Sequence, residues 1–168
     1  MSRYRRLVAM LWQLLLLIAA APALAAPTHI AAELVAEGSA MPGETVMLAF
    51  RMRPEPGWHG YWSNPGDAGL GMQLKWSVPY GTQPGQPRYP VPETLLIAGL
   101  MNHVYTGEYA VLVPVQLSID AAPGARQTMT VDAQWLACTD EICWAISSVA
   151  WVVLSASCLT SLATTVKP

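Results

Sequence analysis

Thr128-Met129-Thr130-Val131-Asp132-Ala133-Gln134-Trp135 alternates polar and apolar side chains without a break. A period of two puts Met129, Val131, Ala133 and Trp135 on one face and the polar residues on the other. That is the pattern of a strand with one side on a core and one toward solvent. Working outward, the same period recurs. Val46, Leu48, Phe50 and Met52 form one face, Met72, Leu74, Trp76 and Val78 a second, and Tyr109, Val111, Val113, Val115 and Leu117 a third. Weaker candidates lie at 30–37 and 149–154. Turn signals separate them: Met41-Pro42-Gly43-Glu44, Asn64-Pro65-Gly66-Asp67, Pro84-Gly85 and Ala122-Pro123-Gly124. No segment holds a helical period for three turns with caps. Six or more short strands over about 120 residues predict an all-β, antiparallel β-sandwich.

Composition narrows the function. Charged residues are 12% of the 168 and hydrophobic ones 53%, with 7 Trp and 6 Tyr, which excludes a disordered chain. Arg3, Arg5 and Arg6 supply three of the 9 bases, so the rest of the chain sets six bases against 11 acids. An acidic body has nothing to neutralise phosphates, and no nucleic-acid partner is expected. The same basic start is followed by an apolar run at 7–21 and by Ala23-Leu24-Ala25, the small-x-small pattern of signal-peptide cleavage. Residues 1–25 are therefore expected to be a cleaved signal, with a mature start at Ala26 and export to the periplasm. A spanning helix needs about 20 apolar residues, more than this run provides. In an oxidising compartment cysteine pairs persist as disulfides.

Three cysteines are present, Cys138, Cys143 and Cys158. Cys138-Thr139-Asp140-Glu141-Ile142-Cys143 is a C-x4-C at the end of the alternating strand. Extended chain would overshoot disulfide geometry, so the segment must fold back if the two sulfurs are to bond. A loop this short stabilises by only about 2 kcal/mol in the entropy model, little for a structural staple. Asp140 and Glu141 disfavour a further negative charge and should raise the thiol pKa values. Such a pair works better as a disulfide attacked by another protein's thiolate than as an activated nucleophile. Spacing alone leaves three readings: a redox pair, a structural disulfide, or a metal site. Zinc would need two more ligands, with only His29, His59, His103 and Cys158 on hand. For Cu(I), Met101 and His103 stand two apart, but Met47, Met52, Met72 and Met129 fall on strand positions as core filler. No metal and no cofactor are expected. Two further stretches stand out. Gly57-Trp58-His59-Gly60-Tyr61-Trp62 is dense in aromatics, plainly read as core and corner packing. Residues 100–107 are plainly read as a connection.

Ala32-Glu33-Leu34-Val35-Ala36-Glu37, Pro42-Gly43-Glu44-Thr45, the string from Pro56 through Trp58-His59-Gly60-Tyr61-Trp62-Ser63-Asn64-Pro65-Gly66-Asp67-Ala68-Gly69-Leu70, and Trp135-Leu136-Ala137-Cys138 through Cys143 resemble the N-terminal periplasmic domain of DsbD-type thiol:disulfide interchange proteins. The ScsB-like branch, linked to copper tolerance, is the nearer likeness, and the resemblance spans about 31–143. It implies an immunoglobulin-like antiparallel sandwich whose cysteine pair cycles between disulfide and dithiol. Reducing equivalents would come from a separate membrane electron-transfer domain through a thioredoxin-like domain. They would pass to thioredoxin-fold, disulfide isomerase-like clients. Without that separate donor the chain would be inactive as a reductase. It further implies Cys143 as the exchanging sulfur, Cys138 as the resolving one, and a shielding cap loop at Asn102, His103, Val104 and Tyr105. Val104 stands where a bulkier tip residue is expected, which puts the shield on Tyr105.

The chain departs from the family after Cys143, where an aliphatic residue, Pro, Glu and a final strand should follow. Trp144-Ala145-Ile146-Ser147-Ser148 stands there instead. The domain is accordingly expected at 26–143 and a divergent tail at 144–168. The tail is either that of a natural stand-alone domain with an altered last strand or the product of a shifted or truncated reading frame. The second is favoured, and it predicts a poorly formed last strand beside an unpaired sheet edge. The competing function is a non-catalytic secreted sandwich with a fixed disulfide, acting as a binding module for copper or a client protein.

Overall fold

The computed structural model describes residues 28–38, 40–122, 124–155 and 164–165. The expected signal segment and Cys158 lie outside them. The described residues contain strands β1 (Ile30–Ala36), β2 (Thr45–Pro54), β3 (Gly60–Gly66), β4 (Gln73–Ser77), β5 (Gln83–Pro84), β6 (Glu93–Ile97), β7 (Leu100–Tyr105), β8 (Tyr109–Gln116), β9 (Arg126–Cys138), β10 (Cys143–Ser155) and β11 (Thr164–Thr165). They form three sheets, ordered β11-β1-β2-β8-β5, β10-β9-β4 and β3-β7-β6. Every pairing between these strands is antiparallel.

The period-two faces become the main core. Val46, Leu48, Phe50 and Met52 of β2 and Val111, Val113 and Val115 of β8 meet Met129, Val131 and Ala133 of β9. The exposed alternates of β2 and β9 are polar, such as Arg51, Thr128 and Gln134. Leucine- and valine-sized side chains lose water contact on both facing sheets, at about 25 cal/mol per Å² of apolar surface.

Beyond Cys143 the chain does not fray. β10 runs 13 residues and pairs in unbroken register with β9, from Cys143↔Cys138 to Ser155↔Arg126. Ser148, Ala150, Val152 and Leu154 are buried, while Val149 and Trp151 face outward. The expected poorly formed last strand is therefore corrected over 144–155. Ser147 suits the outward face of this one-sided strand, exposed and donating from Oγ to Asp132 Oδ1 at 3.4 Å. The expected boundary at 143/144 falls inside β10, after its first residue.

A second correction concerns 100–107. The stretch read there as a connection, with a cap loop at 102–105, supplies β7, the second strand of a β6–β7 hairpin closed by Ala98 and Gly99 between the paired Ile97 and Leu100. Both turn residues have positive φ, 50° and 85°, the arrangement of a two-residue type I′ turn. Likewise, Asn64-Pro65-Gly66 does not end a strand. It forms an irregularity within β3, where the register against β7 shifts between Tyr61 and Gly66. Gly66, at φ 92°, is required there, because a Cβ would run into the Met101 carbonyl oxygen.

Candidate functional site

β9 delivers Cys138, a four-residue turn reverses the chain, and β10 begins at Cys143. Thr139 makes the turn local: its N–H donates to Ile142 O (2.8 Å), and its Oγ1 accepts from the N–H groups of Glu141 and Ile142, each at 3.2 Å. This fold-back sets the two cysteines opposite each other, with Cα atoms 4.1 Å apart, and they form a disulfide. Their environments differ. Cys138 is fully buried, whereas Cys143 is exposed between Ile142 and Trp144, also exposed.

On its other side Cys138 forms a bridge with His59, just before β3. His59 N–H donates to Cys138 O (2.8 Å) and Cys138 N–H to His59 O (3.0 Å). This bridge joins the β10-β9-β4 sheet to the β3-β7-β6 sheet. Residues that exchange both backbone bonds lie directly opposite and share a face. His59, Cys138 and Cys143 therefore form one row across three chain segments. His59 is 2% exposed, and its Nε2 lies 3.4 Å from the Tyr61 hydroxyl. Burial lowers the His59 pKa from its ordinary value, with the Asp140 carboxylate opposing the shift. Burial raises that of Tyr61, which keeps the hydroxyl protonated. A cleft of about 490 Å³ opens beside the row between Trp58, His59, Leu95, Thr106 and the 139–141 turn.

The four residues expected in a cap have separate fates. Val104 is fully buried and packs with Tyr61 and Cys138, flanked by Leu95 and Leu136, in a cluster separate from the main core. Tyr105 does not join that cluster, which corrects the expectation that it bears the shield. Its ring stacks on Tyr109 (centroids 4.1 Å apart) and its hydroxyl donates to Pro90 O at 2.7 Å. His103 packs edge-on against Trp62 and donates from Nδ1 to Asn64 O at 3.0 Å. Asn102 is buried, with Nδ2 donating to Leu100 O. The aromatic string is thus more than corner packing. Tyr61 touches the covering strand, and Trp62, Asn64 and Asp67 tie it down, the last through Oδ2 accepting from Met101 N–H (2.8 Å).

Sequence reading missed Leu95, Leu136 and the placement of His59. Leu95 follows from the unrecognised hairpin. A rim of aromatics adjoins the exposed sulfur: Trp58 stacks face to face on His29 (3.6 Å), and Trp144 meets His29 edge-on at 6.0 Å. Among the described residues no three His, Cys, Asp or Glu side chains converge as a metal site.

The pair thus joins a buried sulfur to an exposed one at a hairpin end, with Val104 of β7 packed on the buried side. The family model for the N-terminal domain of thiol:disulfide interchange protein DsbD matches residues 31–149, and the chain belongs to that family. Its fold is similar to the N-terminal periplasmic domain of ScsB from Proteus mirabilis, at 20% identity and TM-score 0.54, over 79% of this chain and 49% of that one. It is also similar to the reduced N-terminal domain of DsbD from Neisseria meningitidis, at 16% identity and TM-score 0.51, over 83% and 94%. The chain spans about half the length of the ScsB structure. No curated protein matches the sequence. The fold is the immunoglobulin-like sandwich, and family and disulfide together support a role in thiol–disulfide interchange.

Proposed function

We propose that this domain relays reducing equivalents in the periplasm through Cys138 and Cys143 to thioredoxin-fold clients, after export by a signal cleaved before Ala26. A separate membrane electron-transfer domain, acting through a thioredoxin-like donor, supplies the electrons, and alone the domain is no reductase. The observation that carries this is the asymmetry of the pair. A partner thiolate can approach exposed Cys143, whereas Cys138 is closed off by Val104 and Tyr61. Attack on Cys143 forms a mixed disulfide and expels the Cys138 sulfur. A second partner thiol then completes the exchange, leaving this domain as a dithiol and the partner as a disulfide. Toward a client the steps reverse, with Cys143 attacking and Cys138 resolving. Ile142 and Trp144 offer an apolar rim on which a partner's active-site surface can seat.

The test is trapping. Cys138→Ser mixed with an oxidised thioredoxin-like domain should accumulate a covalent complex through Cys143 on non-reducing gels, while Cys143→Ser should give little. Absence of any mixed disulfide, with a reduction potential below about −300 mV, would instead mark a fixed structural bridge in a binding module.

A further inference from the structure

We propose that His59 accepts the proton of the Cys138 thiol when Cys138 resolves a mixed disulfide, an inference that rests on the relay reading above. The need arises from the site. Reduced Cys138 would sit at a position with no exposure, among Tyr61, Val104, Leu95 and Leu136. A thiolate gains no water there, and the carboxylates of the adjoining turn oppose a further negative charge. Yet the thiolate is the nucleophile, so a base must act as the sulfur attacks. His59 is the cross-strand neighbour of Cys138 on the side away from Cys143 and on the same face, held by two backbone hydrogen bonds at 2.8 and 3.0 Å. The tautomer that serves carries its proton on Nε2, donating toward the Tyr61 oxygen 3.4 Å away, and presents Nδ1 as acceptor. Burial keeps the ring neutral and ready to accept, while Asp140 favours the imidazolium once formed.

The step balances. Cys138 sulfur bonds to Cys143 sulfur, and the bond from Cys143 to the client sulfur breaks. The electron pair leaves with the client thiolate, and the Cys138 proton passes to His59. The client gains two electrons and the domain returns to its disulfide. Titratable groups around His59 come from several elements. Tyr61 belongs to β3, Asp140 and Glu141 to the turn, Cys138 and Cys143 to β9 and β10, and Glu93 to β6, bonded to Thr106 at the cleft.

With Cys158 replaced by serine, so that only the pair carries thiols, the reduced domain mixed with 5,5′-dithiobis(2-nitrobenzoate) should release two thionitrobenzoate ions in sequence: one as Cys143 attacks, one as Cys138 resolves. In His59→Gln the first phase should be unchanged and the second slowed on the order of 100-fold at neutral pH, the usual worth of a general base. Its rate should then climb tenfold per pH unit, where the parent protein levels off above the His59 titration. Asp140→Asn, at an exposed turn position, should shift that inflection to lower pH. A second phase with the same rate and pH profile in His59→Gln would overturn the proposal, as would an inflection that Asp140→Asn leaves in place. Absence of both phases in the parent protein would refute the relay reading itself.

Discussion

Val152 and Val149 lie three residues apart on β10, carry the same side chain, and face opposite ways. Val152 is 1% exposed, opposite Met129, and Val149 is 58% exposed, opposite Asp132. Truncating each to alanine is therefore a matched test of whether the segment after Cys143 is a native strand. Val152→Ala removes two methylene equivalents from the core at about 0.8 kcal/mol each. The cavity left behind raises the cost to about 2–3 kcal/mol. Val149→Ala removes the same atoms from solvent and should cost no more than about 0.5 kcal/mol. In urea, with a slope of about 1–3 kcal/mol per M, Val152→Ala should lower the midpoint by roughly 1 M at unchanged slope. Both variants must be compared with the Cys138–Cys143 disulfide intact. Equal midpoints would refute the packed last strand and return the tail to the status of foreign sequence.

Three further outcomes are expected. Val104→Ala should speed reduction of the disulfide by dithiothreitol in stopped flow. Tyr105→Phe should leave that rate unchanged while costing about 1 kcal/mol for the lost bond to Pro90. Stability should also depend on His59. Its folded pKa lies below the unfolded value of 6.5, so its contribution is present above that pH and is lost as pH falls through the folded value. Denaturant midpoints measured from pH 7 downward should fall less steeply in His59→Gln, and identical slopes would refute the burial of a neutral ring.

The strands that build the core were legible because their signal is local. Val46 to Met52, Val111 to Val115 and Met129 to Trp135 each declare a face within a few residues. The fold-back at 138–143 was legible too, since the disulfide demands it. The β6–β7 hairpin was not, because its turn is Ala98-Gly99. Alanine rarely takes positive φ, so the usual Asn-Gly or Asp-Gly marker is missing. The role of Val104 went with it: once the stretch is a strand, neighbours 104 and 105 make different contacts, and the bulkier Tyr105 is not the cover. β10 was under-read because Ser147 and Ser148 dilute its alternation, although Ser148 is buried opposite Ala133. The neighbourhood of His59 depends on a bridge to a residue far along the chain, which no local pattern announces.

The division of the apolar interior into two clusters has a dynamic consequence. Tyr61, Val104 and Cys138 form a small island, with Leu95 and Leu136 at its margin, apart from the buried residues of the main core. Lifting the β6–β7 hairpin forfeits that island, the pairing with β3, the bonds to Asp67 and Asn64 and the Tyr105 stack on Tyr109, but leaves the main-core cluster in place, so the hairpin can open as a sub-global unit below the free energy of global unfolding. Amide hydrogen exchange should be fastest, among paired strands, at β6 and β7 and slowest in β2, β8 and β9. The guard over the disulfide would then be a local equilibrium that a partner can draw on, at a fraction of the free energy that holds the domain together.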